Sequence, residues 1–300
     1  MFQPKLMQGK RILVTGGGTG LGRAMAEKYL SLGADLYICG RRKPVCDDTA
    51  AEMMAQYGGS VKTFGIDIRD AAAVDDMVEQ IFADGPLTGL VNNAAGNFIS
   101  PTSALSPRGF DAIANIVMHG TFYVTHAVGK RWVEMAAKGQ WKPEDGYRSV
   151  VSIIVTWVLN GGPFVVPSAM SKSAIHAMTM SLATEWAQYG VRLNAIGPGE
   201  IPTEGMSKRL NPGEAPGARS AKINPMGRAG KMEELQNLAT FLMADGCDWL
   251  TGQAIMMDGG NHLATGGNFY ELRSWTPEQW KEARDRIEAQ NKKDREQRTA

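Results

Sequence analysis

Short runs of β-branched and other apolar residues alternate with longer amphipathic stretches along the first 260 residues. This alternation is typical of βαβ units, in which helices connect parallel strands with right-handed crossovers. It predicts about seven strands, at residues 11–14, 35–39, 61–65, 89–92, 150–155, 192–196 and 254–257. The expected fold class is therefore α/β, a Rossmann-type doubly wound parallel sheet with helices on both faces.

Neither an internal repeat nor a second hydrophobic unit interrupts this pattern, so residues 1–264 are predicted to form one catalytic domain. Residues 199–230 are rich in Pro and Gly and too long for an ordinary connection, which makes them a candidate substrate lid. The remaining residues, 265–300, are predicted to form a C-terminal extension that ends in a polar helix. Thr276 and Gln279 have the spacing of a capping box at the start of that helix.

Composition narrows the classes of function. The formal net charge is +1, so no overall field attracts nucleic acid. The three cysteines form no CxxC pair, which suits a reducing compartment and predicts no metal site. No apolar run approaches the roughly 18 residues of a membrane span, and no signal-peptide core is evident. A cytoplasmic protein is expected.

A glycine-rich segment lies between the first predicted strand and the first predicted helix. Gly16, Gly20 and Gly22 have the spacing GxxxGxG rather than GxGxxG. Residues without a Cβ let the backbone turn sharply and approach a pyrophosphate at a helix N-terminus. This predicts a dinucleotide site, the alternative being a plain glycine turn. The segment's expected cofactor contacts are Gly16, Gly18, Thr19, Gly20, Leu21 and Gly22.

The end of the second strand bears on the choice between NAD and NADP. A carboxylate there would bind the ribose 2′-hydroxyl, but the sequence has Arg41 and Arg42. Two guanidinium groups suit a 2′-phosphate, although a solvated surface pair is the alternative. Asp67 and Ile68, after the third strand, are expected to meet the edge and face of the adenine. NADP(H) is therefore the predicted cofactor.

Three further motifs resemble those of the short-chain dehydrogenase/reductase family over roughly residues 8–262. They are Asn92-Asn93-Ala94-Ala95-Gly96 after the fourth strand, Pro198-Gly199 after the sixth, and Lys172, which matches the lysine of the family's YxxxK pair at the opening of a long helix. The resemblance implies an oxidoreductase and a homotetramer built on helices within residues 104–135 and 170–188. It also implies cofactor contacts from Asn93, Ala94, Gly96, Lys172, Pro198, Gly199 and Ile201.

One residue departs from the family pattern. Four positions before Lys172, where the family has its catalytic tyrosine, the sequence has Ser168. A serine hydroxyl is a far weaker acid than a phenol with a pKa of about 10. Ordinary exchange between alcohol and carbonyl therefore lacks its proton donor.

The mitochondrial-type 2,4-dienoyl-CoA reductases, one branch of the family, have serine at this position. Residues 92–101 and 164–169 and the run 258–260 resemble that branch. The resemblance implies that Asn97 holds the substrate's thioester carbonyl, and that Ser168 and Lys172 hold the nicotinamide ribose and the substrate region. The branch's own tyrosine, counted back from Lys172 without gaps, is replaced by Trp157.

Reduction of a conjugated thioester needs hydrogen-bond donors for the developing oxyanion rather than an acid. Asn97 offers an amide N–H and Trp157 an indole N–H. The sequence therefore predicts an NADPH-dependent enoyl- or dienoyl-CoA reductase with catalytic residues Lys172, Ser168, Asn97 and Trp157. Three of these residues have a structural alternative: Asn97 as a turn residue, Trp157 as packing, Ser168 as a helix N-cap.

Two other functions stay open, a carbonyl reductase of unknown substrate and a catalytically silent NADP(H)-binding protein. The lid is weakly consistent with an acyl-CoA, since its basic residues could meet phosphates and its methionines could line an acyl chain. These basic residues are Lys208, Arg209, Arg219, Lys222, Arg228 and Lys231, against Glu200, Glu204 and Glu214; the methionines are Met170, Met206 and Met226.

Overall fold

The computed structural model describes residues 1–203, 215, 217–264, 274–283 and 285. Within them, seven parallel strands form one sheet in the order β3-β2-β1-β4-β5-β6-β7. The strands are β1 (Arg11–Thr15), β2 (Asp35–Gly40), β3 (Val61–Gly65), β4 (Gly89–Asn92), β5 (Arg148–Ile153), β6 (Val191–Pro198) and β7 (Ala254–Met257). The predicted fold class is confirmed. The strand order reverses between β1 and β4, and in open parallel sheets ligands bind beyond the carboxyl ends of the strands at that point.

One strand is displaced from its predicted position. β5 begins at Arg148, two residues before the predicted start, and ends at Ile153. Arg148 and Ser149 are polar, and the apolar pattern therefore excluded them, yet both are buried. Their backbones pair with Val191 and Arg192 of β6, and the main-chain ladder thus extends the strand.

Helices cover both faces of the sheet. They are α1 (Gly20–Ser31), α2 (Lys43–Tyr57), α3 (Ala71–Ala83), α4 (Pro107–Ala114), α5 (Gly120–Ala137), α6 (Trp157–Asn160), α7 (Val166–Glu185), α8 (Ala218–Ile223), α9 (Met232–Met243) and α10 (Asn261–Ala264), with a single π-helical turn at Asn115–His119. Neighbouring residues of β1 point to opposite faces: Ile12 and Val14 join one apolar core, and Leu13 joins the other. Strands buried on both faces explain the continuous apolar runs in the sequence.

The chain divides into two compact units, Met1–His262 and Leu263–Ala300. The first contains the sheet. In the second, residues 277–283 are helical, and the capping box has formed: Thr276 Oγ1 accepts from the Gln279 backbone N–H (3.3 Å), and Gln279 Oε1 accepts from the Thr276 N–H (2.8 Å). None of the helices in the described residues is long and apolar enough to cross a membrane.

Candidate active site

The glycine segment forms the turn from β1 into α1. Gly16 and Gly20 have φ values of 64° and 57°, a backbone region that residues with a side chain rarely adopt. Thr19 is the N-cap of α1, but its backbone is extended and its side chain accepts no capping hydrogen bond. Thr19 and Gly20 are exposed. Helix α1 thus begins at exposed residues and without a side-chain cap, the arrangement that an anion at a helix N-terminus requires.

The segment after β4 supports this turn through Asn93. Its side-chain Nδ2 donates to the carbonyls of Thr15 (3.0 Å) and Gly16 (3.3 Å). The backbone N–H groups of Asn93 and Ala94 both donate to Thr15 Oγ1, each at 3.0 Å. A Cβ on Gly22 would lie 2.4 Å from both Asn93 Nδ2 and the Gly16 carbonyl oxygen. Asn93 and Gly22 therefore lock the loop, and the amide of Asn93 serves the protein's own backbone.

The predicted adenine and 2′-phosphate residues lie beyond β2 and β3. Arg41 and Arg42 are exposed, and Arg42 is the N-cap of α2. The carboxylate of Asp67 is held by Arg69, whose Nη2 donates to Oδ2 at 2.6 Å. This hydrogen bond, together with smaller effects that include the charge of Arg41, lowers the pKa of Asp67. Ile68 is buried and packs against the backbone at Gly120 of α5.

Lys172 lies in the second turn of α7 and is only 4% exposed. Its Nζ donates to the carbonyl of Ile153, the last residue of β5. Burial lowers the pKa of Lys172 from its usual 10.5 to about 8. The contact fixes the ammonium group at the carboxyl end of β5, next to the strand order reversal.

Ser168 is buried one helical turn before Lys172. The sequence placed Lys172 at the opening of this helix, but α7 begins at Val166 with Pro167 in its first turn, where proline is favoured. The N-cap is Val165, and the alternative interpretation of Ser168 as a helix cap is therefore wrong. Residues four apart lie on the same face of a helix, so Ser168 and Lys172 share one face.

Trp157 opens the one-turn helix α6, four residues after β5. Its indole Nε1 is buried and has no hydrogen-bond partner among the described residues. Another buried indole shows the usual arrangement, since Trp132 Nε1 donates to the Leu87 carbonyl at 2.8 Å. A buried donor without an acceptor carries a free-energy cost, and the catalytic role of Trp157 stays a prediction.

Asn97 lies in the loop after β4 and is partly buried. Its Oδ1 accepts from the backbone N–H of Phe98 at 2.9 Å, the local bond that a turn residue makes. That bond orients the side chain so that Nδ2 is the group available for a ligand. The same loop is joined to the segment before α7 by a hydrogen bond from the Ser100 N–H to the Phe164 carbonyl (2.9 Å). Phe164 has a φ of 65°, a strained value for a bulky residue.

The carboxyl ends of β6 and β7 form a further wall. Gly199 donates its N–H to the Met257 carbonyl (2.9 Å), and a Cβ on Gly199 would lie 2.7 Å from Asp258 Cβ. Pro198 ends β6, and Ile201 is 2% exposed and belongs to an apolar core, so its contact with a cofactor stays a prediction.

The residues of the predicted lid lie only partly within the described residues. Met206, Lys208 and Arg209 lie outside them. Arg228 is paired with Glu234 at 2.6 Å, and this pairing lowers the pKa of Glu234 to about 2. Lys222, Lys231, Met170 and Met226 are exposed. Arg228 therefore offers little free charge to a ligand.

Sequence reasoning missed several residues around the site. Thr15 Oγ1 accepts from the loop after β4, and Arg69 binds the carboxylate of Asp67. Asp258 Oδ2 accepts from Nδ1 of His262 at 2.9 Å. The i,i+4 spacing of this pair was visible in the sequence, but its contact with Asn160, 102 residues away, was not.

The described residues fit a nicotinamide dinucleotide. The turn at Gly16–Gly22 has no room for a Cβ at Gly22, and the exposed residues Thr19 and Gly20 lie at the start of α1. Two exposed cations lie past β2, and Lys172 lies at the end of β5, on the other side of the reversal. These groups follow one another along the carboxyl ends of the strands. The arginines suit a phosphate, the N-terminus of α1 suits a pyrophosphate, and the ammonium of Lys172 suits a ribose.

Comparison with known proteins agrees with this geometry. A family model described as enoyl-(acyl carrier protein) reductase matches residues 16–262. A probable 2,4-dienoyl-CoA reductase (3E-enoyl-CoA-producing) of Caenorhabditis elegans is 41% identical, over 96% of this chain and 92% of its own. A probable 2,4-dienoyl-CoA reductase (2E-enoyl-CoA-producing) of Bacillus subtilis is 37% identical, over 86% and 98%.

Among solved structures, a short chain dehydrogenase from Bacillus anthracis is 36% identical. It is similar over 85% of this chain and 98% of its own, with a TM-score of 0.74. The chain therefore belongs to the short-chain dehydrogenase/reductase family, as an oxidoreductase with relatives named 2,4-dienoyl-CoA reductases.

Proposed function

We propose that the protein catalyses the NADPH-dependent reduction of a conjugated carbon–carbon double bond in an acyl-CoA thioester. The observation that carries the proposal is the buried indole N–H of Trp157, which has no partner in the described part of the chain and lies at the position where the resemblance implies a thioester-binding tyrosine. A second N–H donor, Asn97 Nδ2, lies on the neighbouring loop. The names of the relatives support the same substrate class.

The cofactor is proposed to be NADP(H), held by the residues named for it above, and when bound it supplies a hydride. Arg41 and Arg42 support the 2′-phosphate, because planar guanidinium groups bind phosphate through forked hydrogen bonds. Lys172, whose Nζ donates to the Ile153 carbonyl, is proposed to orient the nicotinamide ribose. Ser168, one turn before it, faces the same region.

The substrate's chemistry fits donors without an acid. When hydride adds to the far end of a conjugated thioester, negative charge develops on the thioester oxygen, and two preorganised N–H groups stabilise it. The enolate is then protonated on carbon, for which water suffices. The described residues place no phenol at either family position, because Ser168 and Trp157 occupy them. Exchange between alcohol and ketone would need that phenol.

The testing experiment follows NADPH absorbance at 340 nm with 2,4-hexadienoyl-CoA, 2,4-decadienoyl-CoA and trans-2-enoyl-CoAs, using NADH as the comparison. Steady oxidation of NADPH is expected with at least one of them. Asn97→Ala and Trp157→Phe should each lower kcat roughly a hundredfold, the usual effect of removing one oxyanion donor. NADPH binding without oxidation by any thioester contradicts the proposal. Activity on a ketone or aldehyde alone would then indicate a carbonyl reductase, and no activity at all a silent NADP(H)-binding protein.

Two expectations about the protein as a whole belong to the same proposal. We expect a homotetramer assembled through the helices in residues 104–135 and 170–188, where Phe122 and Met180 expose 49% and 46% of their surface. Light scattering after size-exclusion chromatography measures this assembly. We also expect action in the cytoplasm.

A further inference from the structure

A series of hydrogen bonds joins the end of β7 to helix α6. Asp258, whose side chain is 2% exposed, accepts from the backbone N–H groups of Gly260 (3.0 Å) and His262 (2.7 Å). It also accepts from Nδ1 of His262 at 2.9 Å. These bonds fix both the ring and the main chain of His262. The carbonyl oxygen of His262 in turn accepts from Asn160 Nδ2 at 3.2 Å.

Asn160 and Trp157 are the two ends of the same single helical turn. The Gly161 N–H closes this turn on the Trp157 carbonyl at 3.0 Å. A turn of four residues has little stability of its own, so contacts at its end set its orientation. Trp157 also lies close to Gly162, where a Cβ would lie 3.0 Å from the indole Cγ. Close packing at Gly162 therefore limits the position of the ring, and the Asn160 bond fixes the far end of its helical turn.

The direction of the indole N–H matters because it is a buried donor without a described partner. Leaving such a donor unsatisfied costs free energy, and the cost is recovered when an acceptor arrives. A donor aimed in advance at a developing oxyanion needs no reorganisation during the reaction. The rigidity of α6 thus bears directly on the proposed chemistry.

We infer that Asn160, anchored by the Asp258–His262 pair, is a positioning residue that aims the indole N–H of Trp157 at the substrate's thioester oxygen. This inference rests on the proposed function. The role of Asn160 is to act through Trp157, with which it shares the single turn of α6. Its hydrogen bond is exposed, so its effect is smaller than that of the donor itself.

The test is a double-mutant cycle with Asn160→Ala and Trp157→Phe, measured as NADPH oxidation with 2,4-hexadienoyl-CoA. Asn160→Ala is expected to lower kcat roughly three- to tenfold with KM changed less than twofold, because the lost interaction belongs to the transition state. In the Trp157→Phe background, the same substitution should change kcat less than twofold. The near-ultraviolet absorption of dienoyl-CoA bound with NADP⁺ should also shift less to the red in Asn160→Ala than in the wild type, since a poorly aimed donor polarises the thioester less.

The matched control is Gln253→Ala. Gln253 donates a side-chain amide N–H to the backbone carbonyl of Thr251 at 3.1 Å. It precedes β7 and so lies at the amino ends of the strands, whereas the site lies at their carboxyl ends. It should leave kcat unchanged. Equal losses from Asn160→Ala in both backgrounds, or no loss in either, overturn the inference while the proposed function stands. A wild type without thioester activity overturns both.

Discussion

Two regions along the carboxyl ends of the strands differ in how their side-chain hydrogen-bond donors are satisfied. The glycine-loop half comprises residues 15–22 and 92–96, and the Trp157 half comprises residues 153–172. In the first, Asn93 and Thr15 Oγ1 use their hydrogen-bonding groups on the protein's own backbone. In the second, a buried lysine has a single carbonyl acceptor, and an indole N–H has none among the described residues.

The difference indicates two ways of preparing a site. The glycine-loop half is a backbone turn, called the cradle below, whose shape is fixed by close packing. The Trp157 half keeps donors in place at a cost to stability, which is typical of groups that act on a reacting substrate. Substitutions in the first half should therefore affect binding through shape, and those in the second should affect chemistry and stability through charge and hydrogen bonds.

The largest expected effect is that of Gly22→Ala on the cradle. Its Cβ would lie 2.4 Å from both Asn93 Nδ2 and the Gly16 carbonyl oxygen, so the loop must shift. An overpacking cost of about 3 kcal/mol corresponds to a roughly hundredfold weaker Kd for NADPH. Titration of NADPH fluorescence measures it.

Gly109→Ala is the control, because Gly109 is also a helical glycine but its Cβ would meet only side-chain atoms, at 3.2 Å or more. Its Kd for NADPH should equal that of the wild type. Unchanged NADPH binding in Gly22→Ala would show that the shape of the cradle does not control binding.

The glycine-loop half could largely be predicted from the sequence, and the Trp157 half could not. Glycine spacing between a strand and a helix restricts the backbone locally, so Gly16, Gly20 and Gly22 are informative without a structure. The unpartnered state of the Trp157 indole and the Asn160–His262 contact depend on tertiary packing. No periodicity in the sequence encodes them.

The strands show the same contrast between features that follow from local sequence pattern and features that depend on tertiary packing. Continuous apolar runs predicted all seven, but the start of β5 was missed because Arg148 and Ser149 are buried for reasons of strand pairing. Asp67 was predicted to meet adenine from its place after β3, and that role stays a prediction. Its pairing with Arg69 depends on side-chain geometry that the sequence leaves open.

The next largest expected effect is that of the exposed arginines after β2 on NADPH binding. Replacing both Arg41 and Arg42 with Ala should weaken NADPH binding about thirtyfold, or about 2 kcal/mol, because charge-assisted bonds to the 2′-phosphate are lost. NADH lacks that phosphate and is the internal control, and its Kd should stay within twofold. Isothermal titration with both cofactors measures the two values. Equal losses for NADH and NADPH would assign the arginines a structural role instead.

The smallest expected effect is that of Lys172→Met, in the Trp157 half, on the free energy of unfolding of the cofactor-free protein. Burial lowers the pKa of Lys172 from 10.5 to about 8, so the folded state carries the cost of a buried ammonium. Below pH 8 the lysine is charged in both folded and unfolded states, and the cost is fully present. Between pH 8 and 10.5 the folded protein releases the proton that the unfolded chain keeps, so the wild type gains stability relative to the variant.

Lys172→Met should therefore raise the free energy of unfolding by about 1 to 2 kcal/mol at pH 7, and the advantage should shrink toward pH 10. Urea denaturation of the cofactor-free protein at both pH values measures it, and Lys222→Met, at an exposed position of α8, should show no such trend. An advantage that is the same at pH 7 and pH 10 would mean that the buried lysine carries no charge cost. The Trp157 half would then keep only its indole N–H as an unsatisfied donor, and the contrast with the glycine-loop half would rest on Trp157 alone.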